Sequence, residues 1–172
     1  MTPEQFRTLY PLLIGWIEQT LAAHANDARP VTSLGFQRLP QYFSQELLAS
    51  AKVVTVNHVP SPPLSKFGAT SFGEFETMDA AGTTYLDTYF VQTGEAGREW
   101  LHFHELIHVV QWRLLGPERF IAAYADGFTR FGYRHNPLEI IAYETQAKFE
   151  GDQTPFDAEQ SVRFQLQNQN LI

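Results

Sequence analysis

Cysteine is absent from all 172 residues, which removes disulfides and thiolate ligands together. Any metal site in this chain has to be built from histidine, carboxylate and water. Long apolar runs are missing too: the longest, around Leu12 to Trp16 and Leu106 to Val110, fall short of the roughly 20 residues that cross a bilayer. No membrane partner is expected. Positive charge is scarce, with 12 Lys and Arg against 19 Asp and Glu and a net charge of −7. The basic residues are scattered, which argues against a nucleic-acid surface. The opening Met-Thr-Pro-Glu-Gln lacks the basic start, apolar middle and small-residue cleavage site of a secretory signal, so a cytoplasmic location is expected. With no internal repeat, low-complexity tract or linker, residues 1–172 read as a single domain.

What is present reads as helices around a little β structure. Thr2, Pro3 and Gln5 give a capping hydroxyl, a proline at the first helical position and a side chain that reaches back. Phe6, Leu9, Leu13, Trp16, Ile17 and Leu21 follow at helical spacing to about His24, and Pro11 is expected to kink that helix. A second helix is expected near Gln41 to Ser50 and a strand at Val53 to Val56. His58 to Lys66, with three prolines, reads as an extended loop. After a turn at Ala80-Ala81-Gly82, the β-branched and aromatic stretch Thr83 to Val91 reads as one strand. A helix then runs from about Arg98 to Leu115, stopped by Gly116-Pro117. Further helices are expected at Glu118 to Phe128, from Asn136-Pro137 to about Phe149, and from about Phe156 to Gln167.

The chemistry concentrates in His104-Glu105-Leu106-Ile107-His108. On a helix the two histidines lie one turn apart on one face, so both imidazoles can grip one ion while Glu105 reaches a water beside it. Leu101, Phe103, Leu106, Ile107, Val109, Val110, Trp112, Leu114 and Leu115 surround them on nearly every side, the pattern of a core helix. Buried polar groups need partners, and a metal ion would satisfy His104, Glu105 and His108 together. Two core histidines bonded to carbonyls, with Glu105 paired to an arginine, are the alternative.

Catalytic zinc usually has three protein ligands and one open position. Glu139, about 30 residues on, in the first turn of the helix opened by Asn136-Pro137, is the preferred third ligand; Ala142 at i+3 would allow close helix approach. Glu139 could instead complete a capping box on Asn136. Glu144 is the other candidate ligand, about 140° further around the helix, so both acids cannot face one ion.

His104-Glu105-Leu106-Ile107-His108-Val109-Val110-Gln111, after a strand ending near Val91 and before Glu139-Ile140-Ile141-Ala142, resembles the gluzincin branch of zinc metallopeptidases. The likeness covers about Thr83 to Phe149 and leaves the first 80 residues without a signature. It implies an α+β, mostly helical zincin-like domain whose small antiparallel or mixed sheet packs on the HExxH helix. It implies zinc on His104, His108 and Glu139, Glu105 as general base, and a peptide or protein substrate docked along a strand edge from Thr83 to Val91. Where relatives often keep an acid four residues after the ligand glutamate, this chain has Tyr143, a weaker partner for a histidine. Tyr124, Tyr133, His135 and Tyr143 are candidates for supporting a ligand or an oxyanion. Gln111 shares the His104 face, while His102 should point away from the metal.

Overall fold

The computed structural model describes residues 2–151 and 154–172. It is an α+β, mostly helical fold with one four-stranded mixed sheet. The first helix, α1 (Pro3–Ala23), starts at the expected capping box, where Thr2 and Gln5 exchange bonds of 2.8 and 3.2 Å. It runs through Pro11 as one element and buries only Leu9 and Ile17 fully, so it lies against the outside of the body. The expected second helix is shorter. Leu39–Gln41 forms a separate tight turn, and Ser44 caps α2 (Gln45–Ser50) by accepting from the Leu47 N–H at 3.2 Å.

The sheet contains β1 (Arg29–Pro30), β2 (Lys52–Val56), β3 (Gly82–Tyr85) and β4 (Thr88–Gln92), ordered β1-β2-β4-β3. β2 and β4 run parallel, and the outer strands pair antiparallel. The single strand expected from Thr83 to Val91 is in fact the β3–β4 hairpin. Its turn is Leu86-Asp87, and Leu86 takes φ 57°, a backbone region usually filled by glycine or asparagine. Asp87 alone is a turn-prone residue there, and the β-rich composition on either side hides the reversal. The split decides each half's role: Tyr89, Phe90 and Val91 of β4 are fully buried, whereas β3 is the sheet's last strand. Between β2 and β3 lie the expected proline-rich loop and a short helix, α3 (Gly73–Thr77).

The longest helix, α4 (Glu99–Phe131), breaks at Gly116, with φ 74° and ψ 162°. That conformation favours glycine, and Pro117 suits the start of the second arm because its missing N–H would be unpaired there anyway. The second arm continues past the expected end at Phe128. Residues 101–112 of the first arm are buried without interruption, and each large apolar side chain among them contributes about 1.5–3 kcal/mol. β3 and β4 are tied to this arm by Trp112 Nε1 donating to the Thr84 carbonyl (3.2 Å) and by the Tyr89 hydroxyl against His102 Nδ1 (2.8 Å). α5 (Pro137–Gly151) and α6 (Ala158–Asn168) pack on α4, with Phe103 and Phe149 stacked at 4.3 Å. Among the described residues no helix is long and apolar enough to cross a membrane.

Candidate metal centre

Two elements bring the centre together. The first arm of α4 presents His104 and His108, whose Nε2 atoms face each other at 3.2 Å. α5 presents Glu139, with Oε2 at 3.5 Å from His104 Nε2 and Oε1 at 3.5 Å from His108 Nε2. α5 reaches this place because Asn136 accepts from the Leu138 N–H (3.1 Å) and donates to the Tyr124 carbonyl (3.0 Å), pinning its start against the second arm. Gly127 permits that approach, since a Cβ there would lie 2.7 Å from Asn136 Oδ1. The capping-box alternative for Glu139 fails: the Asn136 N–H donates to the Tyr133 carbonyl. Glu144 is exposed and outside the cluster.

The arrangement calls for a proton or a metal ion among its acceptors. His104 Nδ1 lies 3.0 Å from Gln146 Oε1, and His108 Nδ1 lies 2.8 Å from Gln111 Oε1. An amide oxygen only accepts, so each Nδ1 carries a proton, and the two Nε2 atoms face each other with room for one shared proton or one metal ion. Glu139 Oε2 is buried without a hydrogen-bond partner. Three electron-rich atoms therefore converge in a site where the four side chains are 3 to 6 % exposed. Ligand atoms about 2.0–2.1 Å from a tetrahedral centre are separated by about 3.3–3.4 Å. The separations of 3.2 Å between the imidazoles and 3.5 Å from each imidazole to a different Glu139 oxygen bracket that figure, so the donor set can hold a metal ion.

Charges in the cluster respond accordingly. Burial lowers the His108 pKa, but the Glu139 carboxylate outweighs it and, with Glu105 and Gln111, brings the value up to about 9. Burial raises the Glu139 pKa, yet the two histidines hold it well below the usual carboxylate range. Glu105 is raised by burial and further by Glu139, against the lowering effect of both histidines and Thr84.

No known protein-family model, curated protein or solved structure matches this chain. The centre stands on its own geometry.

Of the other expected residues, Tyr124 does meet the centre: its hydroxyl donates to Glu139 Oε1 at 2.7 Å, and burial beside that carboxylate keeps the phenol protonated. Tyr133 lines the cavity beside the centre. Tyr143 lays its ring 4.7 Å from the His104 ring and is 43 % exposed, so it covers the imidazole and leaves Nδ1 to Gln146. His135 is exposed and does not line the cavity. His102 points away, to Tyr89 and the Ala96 carbonyl.

Sequence reasoning missed three supporting positions. Gln146, seven residues after Glu139, returns to the same helix face after two turns, which a search confined to i+4 passes over. Thr84 donates its hydroxyl to Glu105 Oε2 at 2.6 Å. Gly82 lets the other carboxylate oxygen approach, because a Cβ there would sit 2.5 Å from Glu105 Oε1. Both lie in β3, and only the hairpin's packing on α4 reveals them.

Proposed function

We propose that the protein is a zinc-dependent peptide hydrolase of gluzincin type, with His104, His108 and Glu139 as metal ligands and Glu105 as general base. The observation that carries the reading is the pair of Nε2 atoms facing each other at 3.2 Å beside the unpartnered Glu139 Oε2. A divalent ion bound there supplies Lewis acidity, polarising a carbonyl and bringing the pKa of water down to about 7. Glu105 takes a proton from the attacking water and returns it to the leaving amine. Burial raises its pKa above the ordinary carboxylate value, the direction that favours proton transfer by a general base. Thr84 and Gly82 hold its carboxylate at the β3 edge. Alternate residues of that strand, Gly82 and Thr84, direct backbone groups away from β4, because the Gln92 N–H bonds the Ala81 carbonyl and antiparallel pairs alternate. An extended peptide can pair with those groups, although the Thr84 carbonyl already accepts from Trp112.

A second reading, a zinc-binding interaction module of low catalytic power, is favoured by one feature. Both histidines are supported by neutral amides where a carboxylate would make a more basic ligand. Metal analysis and peptide hydrolysis separate the readings. The hydrolase reading expects stoichiometric zinc in the wild type and Glu144→Ala, loss of zinc in Glu139→Ala, and loss of hydrolysis with zinc retained in Glu105→Gln. Partner binding unaffected by Glu105→Gln, with no hydrolysis by the wild type, supports the module. Wild-type protein that neither contains zinc nor gains thermal stability on adding it sinks both.

A further inference from the structure

The centre forms part of the lining of a cavity whose other walls come partly from the first 80 residues, which carry no recognised signature, and partly from the second arm of α4. Leu13 of α1, Val59 and Leu64 of the proline-rich loop, Phe75 of α3, and Ala125 and Phe128 of the second arm face that space. We infer that this cavity is a specificity pocket for one large apolar side chain, of Leu, Met or Phe size, next to the bond presented to the centre. The inference rests on the hydrolase reading for what the centre does, and on the walls for what the pocket admits.

Two observations define the occupant. The space amounts to about 130 Å³, roughly ten times what one water needs, so it admits a whole side chain. No lysine, arginine or aspartate lines it, and its two carboxylates, Glu105 and Glu139, belong to the centre. A charged occupant would therefore be buried without a counter-charge of its own.

The test uses zinc-loaded, full-length Glu105→Gln protein and blocked pentapeptides Gly-Gly-X-Gly-Gly, titrated by calorimetry. Each buried methylene contributes about fourfold in affinity. X as Phe or Leu should therefore bind at least about tenfold tighter than X as Gly, while Lys or Asp should bind no tighter than Gly. Adding Val59→Trp, a change in the loop wall, should bring the Phe peptide to the Gly level with zinc content unchanged. Ala125→Phe is the second filling variant if that one does not fold.

Equal affinities across X, a preference for charge, or no measurable binding at millimolar peptide overturns the pocket. Folded filling variants that still bind the Phe peptide as before do so too. Selective binding of Phe and Leu peptides that the wild type never cleaves leaves the pocket standing and removes the hydrolase reading. Cleavage by the wild type without preference for X does the reverse.

Discussion

The two sides of the cleft are built on opposite terms. On the centre's side, polar side chains are nearly or wholly buried and depend on named partners: His108 on Gln111, His104 on Gln146, Glu105 on Thr84, Glu139 on Tyr124. Across the cavity Leu9, Leu64, Phe72, Ala125 and Phe128 form a small apolar cluster separate from the main core. Burying polar groups costs several kcal/mol unless each is satisfied, whereas apolar burial is favourable without directional partners. Substitutions on the polar side should therefore change chemistry or metal affinity through one lost contact. On the apolar side they should change stability and leave the metal alone.

The largest effect that sharpens this contrast belongs to Phe128→Ala. Truncating a buried phenylalanine typically costs about 3–5 kcal/mol; at 8 % exposure, beside the cavity, Phe128 should lie near the lower end, about 3 kcal/mol in denaturant unfolding. Zinc affinity, measured by competition with a chelator, should stay within a factor of about two. A comparable loss of zinc affinity would show that the two sides are one unit and break the comparison.

Gly82→Ala comes next and acts in the other direction. The new Cβ would meet Glu105 Oε1 at 2.5 Å, so the carboxylate has to move. A displacement of about 1 Å at a reacting group can cost roughly a hundredfold in rate. Hydrolysis should fall by about that factor with zinc still stoichiometric, since Gly82 approaches none of the three ligand atoms. Full activity in Gly82→Ala would show that the observed Glu105 position is not the working one.

The ease of reading these features from the sequence follows the same division. His104, His108 and Glu139 were legible because helix geometry converts spacing into direction, and an Asn-Pro cap fixes where α5 begins. Gly116-Pro117 was legible for the same kind of reason. The β3–β4 reversal was not, because Leu86 adopts a positive φ without the usual turn residue, and with it went Gly82 and Thr84. Tyr143 occupies the expected i+4 position but sets its ring against His104 at a tilt of 55°, so the supporting hydrogen bond moved on to Gln146. The apolar wall was invisible as a wall: Leu13, Leu64 and Phe128 look like ordinary core residues until loop, α3 and second arm converge. Gly82, Thr84 and the wall residues act through contacts between distant segments, for which local periodicity carries no signal.

Gln111→Leu and Gln146→Leu test how much a neutral amide contributes to a histidine ligand. Losing such a partner typically lowers metal affinity by about 10–100-fold. Gln111 is fully buried and also donates to the Leu138 carbonyl at 2.9 Å, bridging α4 to α5, so its loss should approach a hundredfold. Gln146 is half-buried, and its other bond is to exposed Glu150, so about tenfold is expected. Equal losses measured by chelator competition would remove the bridge from the explanation.

The smallest effect appears when the metal is withdrawn and a proton holds the centre instead. His108 then titrates near 9 against an ordinary 6.5, raised by Glu139 despite burial. Its contribution to stability is complete below 6.5 and is lost as pH rises toward 9. Glu139 is depressed below its ordinary 4.5, so its contribution is complete above that pH and is lost as pH falls. The pair thus contributes most between about 4.5 and 6.5. Chelator-treated protein should lose Tm steadily as pH rises from 6.5 to 9. Glu139→Gln should flatten that slope. The zinc-loaded protein should not show it, because deprotonation of the histidines favours the metal. A flat or rising Tm for the chelated wild type over that range would mean that no proton replaces the metal between Glu139 and His108. The converging lone pairs would then be strained in the metal-free state, and the polar side of the cleft should be the first part to loosen.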